Sequence, residues 1–301
     1  MTMTSRFTLT DEQAALLPSD ADVRAYEEHG WHLSQKLFTE DEIDALVAAS
    51  DRFYAGRRDR TLPVRPPNLA YWEPSHGDVQ RHHDYVHYES ADIAAILRNP
   101  VIGAVAARLA GTSQIRIFQA TMIFKPPIVG EMSNVVPWHI DRHYWQICTS
   151  ERMLTAFIPL HDCGLEMGTI TMIDGSHLWK EIPGDDSTRH FAMRDRDELE
   201  QLLQRTAEFN NAEVRTVPMI IPKGHMSFHH CRIFHGSGHN RSDRPRRAVS
   251  LHLQDGENRW RPYHKRDESL VMYNHDLLVR RTPDGDPDYA DPDYCPVLWQ
   301  S

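Results

Sequence analysis

Gln114-Ile115-Arg116-Ile117-Phe118-Gln119-Ala120-Thr121-Met122-Ile123-Phe124 reads as a long strand, rich in Ile, Phe and Thr and stopped by Pro126-Pro127. It marks the point where the chain changes character. Upstream, the signals are helical. Thr39-Glu40-Asp41-Glu42 has the form of a capping box, in which Thr39 accepts from a free backbone N–H and Glu42 reaches back. Ile43, Leu46 and Val47 follow at helical spacing, which predicts a helix over 40–55. Residues 91–97 and 101–109 read as two more, parted by Asn99-Pro100. Downstream, the pieces are short and β-rich: 153–160, 169–173, 214–221, 226–233 and 247–253. A helical pattern over 196–209, with Leu199, Leu202 and Leu203 on one face, interrupts them. The tail over 283–294, rich in Asp, Pro and Tyr, reads as irregular.

Helices first and short strands afterwards predict a mainly β fold with flanking helices. The expected architecture is a double-stranded β-helix, a jelly-roll or cupin-like core, beneath a helical N-terminal layer. No linker divides the 301 residues, so one domain is expected. Its parts are a helical layer over 1–112, the core over 113–255 and a C-terminal extension over 256–301.

Composition narrows the partners. A formal net charge of -10 disfavours non-specific binding to nucleic acid or anionic lipid, although the basic run from Arg241 to Arg247 leaves room for a local anion pocket. No apolar run reaches the roughly 20 residues needed to cross a bilayer. The first nine residues lack the apolar stretch of a signal peptide. Cys148, Cys163, Cys231 and Cys295 are widely spaced, without a CxxC pair, as expected of reduced thiols in the cytoplasm. The sequence does not fix the oligomeric state.

The chemistry centres on Pro137-Trp138-His139-Ile140-Asp141-Arg142-His143-Tyr144. At a strand end, His139 and Asp141 are expected on the same face, because side chains alternate with period two. Two imidazoles and a carboxylate occupy one face of an iron(II) ion and leave the opposite face open for oxygen chemistry. The third ligand must come from elsewhere. With 19 histidines in the chain, composition alone does not choose it. His235 is one candidate. His143 offers a local set with His139 and Asp141, as a zinc or manganese hydrolase or isomerase would use. His82-His83-Asp84, His161-Asp162 and His229-His230 supply further donors.

The surrounding pattern resembles the phytanoyl-CoA dioxygenase family of iron(II)/2-oxoglutarate oxygenases. Its carriers are Lys125-Pro126-Pro127, then Pro137-Trp138-His139-Ile140-Asp141 with Tyr144-Trp145. Gly168-Thr169 and Gly175-Ser176-His177 follow, then His235-Gly236-Ser237, Asn240-Arg241-Ser242 and Arg246-Arg247. Order and spacing agree from Phe118 to Leu253.

The resemblance implies that His139, Asp141 and His235 hold the iron and that Arg246 grips the distal carboxylate of 2-oxoglutarate. A planar, permanently charged fork suits that task. Arg247 should face the opposite way on a strand. Ser237, Thr121 and Phe157 match cosubstrate-lining positions, whereas Gly175-Ser176-His177 reads as a fold-supporting turn. Relatives that chlorinate carry a small residue in place of the carboxylate, so Asp141 implies oxygenation. The implied reaction couples decarboxylation of 2-oxoglutarate by O2, giving succinate and CO2, to hydroxylation of a small metabolite. Desaturation and cyclisation share its early steps. Tyr71-Trp72-Glu73-Pro74, Arg81-His82-His83-Asp84-Tyr85, Tyr144-Trp145 and Arg259-Trp260-Arg261 are candidate substrate-side clusters.

Overall fold

The computed structural model describes residues 7–77, 79–128, 134–183, 196–265 and 267–301. Its strands are β1 (Trp31–Leu33), β2 (Arg81–Asp84), β3 (Gln114–Lys125), β4 (Val136–His139), β5 (Leu154–Pro159) and β6 (Ile170–Ile173). They continue with β7 (Thr216–Pro218), β8 (Ser227–His230), β9 (His235–Ser237), β10 (Arg246–Asp255) and β11 (Val297–Gln300). Among the described residues, the larger sheet has the order β1-β8-β5-β10-β3-β11, with β2 also paired to β3, and the smaller sheet is β4-β9-β6-β7. All of these pairs are antiparallel. This is the expected jelly roll.

Strand alternation divides the larger sheet into two working faces. Val249, Leu251 and Leu253 of β10 pack outward with Ala120 and Met122 of β3 and Ala156 and Ile158 of β5. Against them lie Ile43, Leu46 and Phe53, all at most 1% exposed, from the helix Glu40–Tyr54. At roughly 1.5–3 kcal/mol for each large side chain removed from water, this layer is a main source of stability. Arg246, Ala248, Ser250 and His252 point to the other face, toward the smaller sheet, and the register carries that face across neighbouring strands. Ser250 lies opposite Thr121 and Phe157, and Thr121 lies opposite Asp84. His252 lies opposite Gln119 and Thr155, and Thr155 opposite His229.

The helix Glu40–Tyr54 begins as its sequence dictates: the Thr39 hydroxyl accepts from the Glu42 N–H at 3.2 Å, and Glu42 accepts from the Thr39 N–H at 2.8 Å. Thr39→Ala should therefore cost about 1 kcal/mol. A lowered urea midpoint with an unchanged slope would register it.

Several elements depart from the sequence reading. Pro218 lacks an N–H to extend the ladder, and β7 covers only part of 214–221. The stretch expected over 226–233 stops at His230, where a turn donates the Ile233 N–H to the His230 carbonyl. The layer expected to be helical contributes β1 and β2 to the larger sheet, and the C-terminal stretch contributes β11. The helix Asn274–Leu278 follows Met272 and Tyr273 at the cavity wall.

Candidate metal centre

His139 closes β4 and is the direct cross-strand partner of His235 on β9. Their ring centroids are 4.1 Å apart. Asp141 is not on the strand. It begins the helix Asp141–Tyr144, so period-two alternation does not explain its position. The turn is held instead by the Arg142 N–H, which donates to the Cys231 carbonyl at 2.8 Å, and it swings the carboxylate back over the two rings. The Asp141 Oδ1 lies 3.6 Å from Nε2 of His235 and 3.9 Å from Nε2 of His139. One ligand atom from each of the three lies within 4.8 Å of the others. That cluster contains His235 and not His143, so the convergence is long-range.

The protonation pattern suits a cation. His139 Nδ1 faces the Pro137 carbonyl at 2.8 Å and His235 Nδ1 faces the Ile233 carbonyl at 3.1 Å. Donation there leaves both Nε2 lone pairs toward the shared centre. Burial pushes both imidazoles down to about 4, so they are neutral near pH 7. Burial opposes ionisation of Asp141, yet His235, His229 and His252 around it hold its carboxyl well below the usual range. Two neutral imidazoles and an ionised carboxylate grouped this closely are a donor set that would hold a divalent iron ion.

The second carboxylate oxygen has its own support. The Thr155 hydroxyl donates to Asp141 Oδ2 at 2.8 Å, and Nδ1 of His252 lies 2.8 Å from the same hydroxyl. His229 Nε2 is 3.5 Å from that oxygen. The sequence reading singled out neither Thr155 nor His252 and left His229 among the alternatives. They meet Asp141 through the cross-strand row that joins β8, β5 and β10. Ser176 supports His235 in turn, because its hydroxyl accepts from the Phe234 N–H at 2.9 Å.

A cavity of about 640 Å³ opens above the cluster, lined by residues that include His139, Asp141, His235, Thr121, Phe157, Ser237 and Arg246. Arg246 is 2% exposed. Its guanidinium donates to the Gly168 carbonyl and lies 5.4 Å from the centre of the Phe157 ring, while its Nε has no partner. Gly168 adopts φ +63°, and a β-carbon there would collide with the Gly238 carbonyl oxygen, so only glycine presents that carbonyl comfortably. Arg247 points the other way and reaches Asp51 and Ser50.

Opposite Arg246 in the register is Lys125, fully buried, with Nζ 2.6 Å from Ser237 Oγ and 2.8 Å from the Gly238 carbonyl. Burial and the neighbouring Arg246 push the Lys125 amine down to about 6, and burial pushes Arg246 to about 10. Among the described residues, neither has an acidic partner. Arg246 at the cavity wall, with the Lys125 amine behind Ser237 able to take a proton when an anion arrives, forms a receptor for an anion. The donor set and this receptor fit iron(II) and a dicarboxylate. The sequence reading used Lys125 only as a landmark and assigned it no task.

A jelly roll with this constellation defines the protein's class, and comparison with known proteins agrees. The model of the phytanoyl-CoA dioxygenase (PhyH) family matches residues 26–248. Ectoine dioxygenase from Bordetella bronchiseptica is 26% identical over 249 residues, covering 80% of this chain and 76% of that protein. Peroxisomal phytanoyl-CoA dioxygenase from Mus musculus is 23% identical over 238 residues, covering 76% and 66%. Among solved structures, the non-haem α-ketoglutarate-dependent carbocyclase SnoK from nogalamycin biosynthesis superposes with a TM-score of 0.69 at 21% identity, covering 93% of this chain and 96% of that one. The chain belongs to the phytanoyl-CoA dioxygenase family. It is an iron(II)- and 2-oxoglutarate-dependent dioxygenase.

Proposed function

We propose that this dioxygenase hydroxylates a C–H bond of a small metabolite, with His139, Asp141 and His235 as the iron ligands. The observation that carries the reading is the convergence of these three donors, within 4.8 Å, on a cavity whose wall holds Arg246 with no acidic side chain paired to it among the described residues. Arg246 grips the distal carboxylate of 2-oxoglutarate, Lys125 adds a second charge, and the Ser237 hydroxyl, which accepts from Lys125, donates its own proton to the same carboxylate. Thr121 and Phe157 line the chamber in which the cosubstrate lies.

Iron and 2-oxoglutarate supply oxidising power from O2, with succinate and CO2 released. The protein supplies placement. The Thr155 hydroxyl fixes Asp141, while the Pro137 and Ile233 carbonyls fix the two imidazoles, so ligand geometry is set before substrate arrives. Ile123, Ile170 and Phe157 keep the cosubstrate side apolar. Tyr144, Trp145 and Tyr273 wall the substrate side, where orientation decides which carbon reacts. Desaturation or ring closure would use the same residues, and product analysis separates these outcomes from hydroxylation. Four buried, unpaired cysteines support a cytoplasmic setting. Among the described residues, no single helix is long and apolar enough to cross a membrane.

Anaerobic titration of the metal-free protein with Fe(II) and 2-oxoglutarate tests the assignment. A weak visible charge-transfer band should grow to one equivalent, and metabolites screened under air should stimulate succinate release. No band at saturating iron and cosubstrate would refute the ligand set.

A further inference from the structure

We infer that Asp84 selects the substrate by recognising an organic cation, an ammonium or amidinium group carried by the molecule to be oxidised. The inference rests on the oxygenase reading above and adds the charge of the substrate to it. Asp84 ends β2, is 6% exposed, and lines the same cavity as the candidate ligands.

The hydrogen bonds around Asp84 are those of an anion. The Thr121 hydroxyl donates to its Oδ1 at 2.7 Å and the Ala70 N–H to its Oδ2 at 3.0 Å. Behind Thr121, the Gln119 amide donates to the threonine hydroxyl at 3.3 Å, and the Tyr273 hydroxyl donates to the Gln119 carbonyl oxygen at 2.5 Å. Every proton along Tyr273, Gln119 and Thr121 is directed toward the carboxylate.

All of these donors are neutral. Among the described residues, no lysine or arginine forms an ion pair with Asp84. Its neighbour His83 engages Glu89 instead, at 2.9 Å. Burial raises the Asp84 carboxyl above its ordinary value, and the hydrogen bonds from Thr121, Ala70 and Gln119 offset only part of that rise, so a cationic group brought beside it would stabilise the carboxylate. The cavity's other carboxylate, Asp141, is surrounded by imidazoles. Asp84 is thus an acidic wall position for which no lysine or arginine among the described residues supplies the countercharge.

Position separates Asp84 from the cations that grip the distal carboxylate of the cosubstrate, with Thr121, which borders the cosubstrate chamber, standing between them. Arg246 and Lys125 concentrate positive charge at one end of the inner face, four residues along β10 and β3 from the row of Thr121 and Asp84. From Asp84 the sheet runs through β3 and β10 to β5, where Thr155 holds Asp141. Three strand spacings make that span about 14 Å. A molecule held at Asp84 by its cationic end therefore presents a carbon several bonds away to the metal. The rings of Tyr273 and Trp145 line the cavity too, and aromatic faces favour cations.

The test uses the anaerobic protein loaded with Fe(II) and 2-oxoglutarate, titrated calorimetrically with n-hexylammonium, 1-hexanol and hexanoate. The ammonium should bind at least 10-fold more tightly than the alcohol, and hexanoate should bind more weakly than either. Asp84→Asn should reduce the ammonium preference to within about 2-fold while keeping the charge-transfer band. Asp84→Glu, which preserves the charge, should retain a preference and serves if the asparagine variant does not fold. Equal binding of alcohol and ammonium by the wild-type protein, no ammonium binding at millimolar concentration, or a preference surviving in Asp84→Asn would each overturn the inference. A missing charge-transfer band in the wild-type protein would instead sink the oxygenase reading beneath it.

Discussion

Asp141→Ala should leave a folded protein that neither holds Fe(II) nor releases succinate. The Asp141 carboxylate does two things at once. In the proposed centre its Oδ1 completes a donor set with His139 and His235, and it brings the one fixed negative charge among the three. Without it, two neutral imidazoles from adjacent strands remain, a pair that holds iron(II) weakly. Loss of a supporting residue around a metal ligand costs about 10–100-fold in affinity, so loss of a charged ligand should exceed about 100-fold. Folding should survive, because the other groups on the carboxylate are the Thr155 hydroxyl and imidazoles that burial keeps neutral. Metal analysis after anaerobic loading, together with a circular dichroism spectrum, checks both halves. An alanine variant that retains stoichiometric iron would show that the ligands have been misassigned.

The part of this centre that was legible in the sequence is the part written in short motifs. His139, Asp141, His235 and Arg246 stand in patterns whose order survives on the page. The opposite facing of Arg246 and Arg247 follows from strand alternation alone, and the structure bears it out. The helix beginning at Glu40 was equally legible, since its cap is local chemistry. The residues around Asp141 were not. Thr155, His229 and His252 come from three strands and meet only through register, a relation with no signature in any one segment. β1, β4 and β9 are three or four residues long, too short for alternation to register, and long-range pairing defines them. Asp141 itself was placed on the right side of the site for the wrong reason. A turn, not a strand, delivers it.

Arg246→Met should raise the KM for 2-oxoglutarate by roughly 100-fold while changing kcat far less at saturating cosubstrate. Each hydrogen bond to a charged group is worth about 1.5–3 kcal/mol, and a two-pronged grip on a carboxylate remote from the reacting atoms acts mainly on binding. Stability should respond in the opposite sense. Without its anion, Arg246 is a buried cation held by the Gly168 carbonyl, with Nε unpartnered, so methionine should leave the ligand-free melting temperature unchanged or higher. Added 2-oxoglutarate should raise the wild-type melting temperature much more than that of the variant. Lys125 adds a pH dependence. Its amine sits at about 6 in the free protein, and a bound carboxylate raises that value. Cosubstrate affinity from this contact is therefore complete below about pH 6 and is lost as pH rises through the higher bound value. In Arg246→Met the repulsion on Lys125 is relieved and its free value rises, so the slope of affinity against pH near neutrality should flatten. A variant with unchanged KM and an unchanged ligand-induced thermal shift would place the carboxylate elsewhere in the cavity.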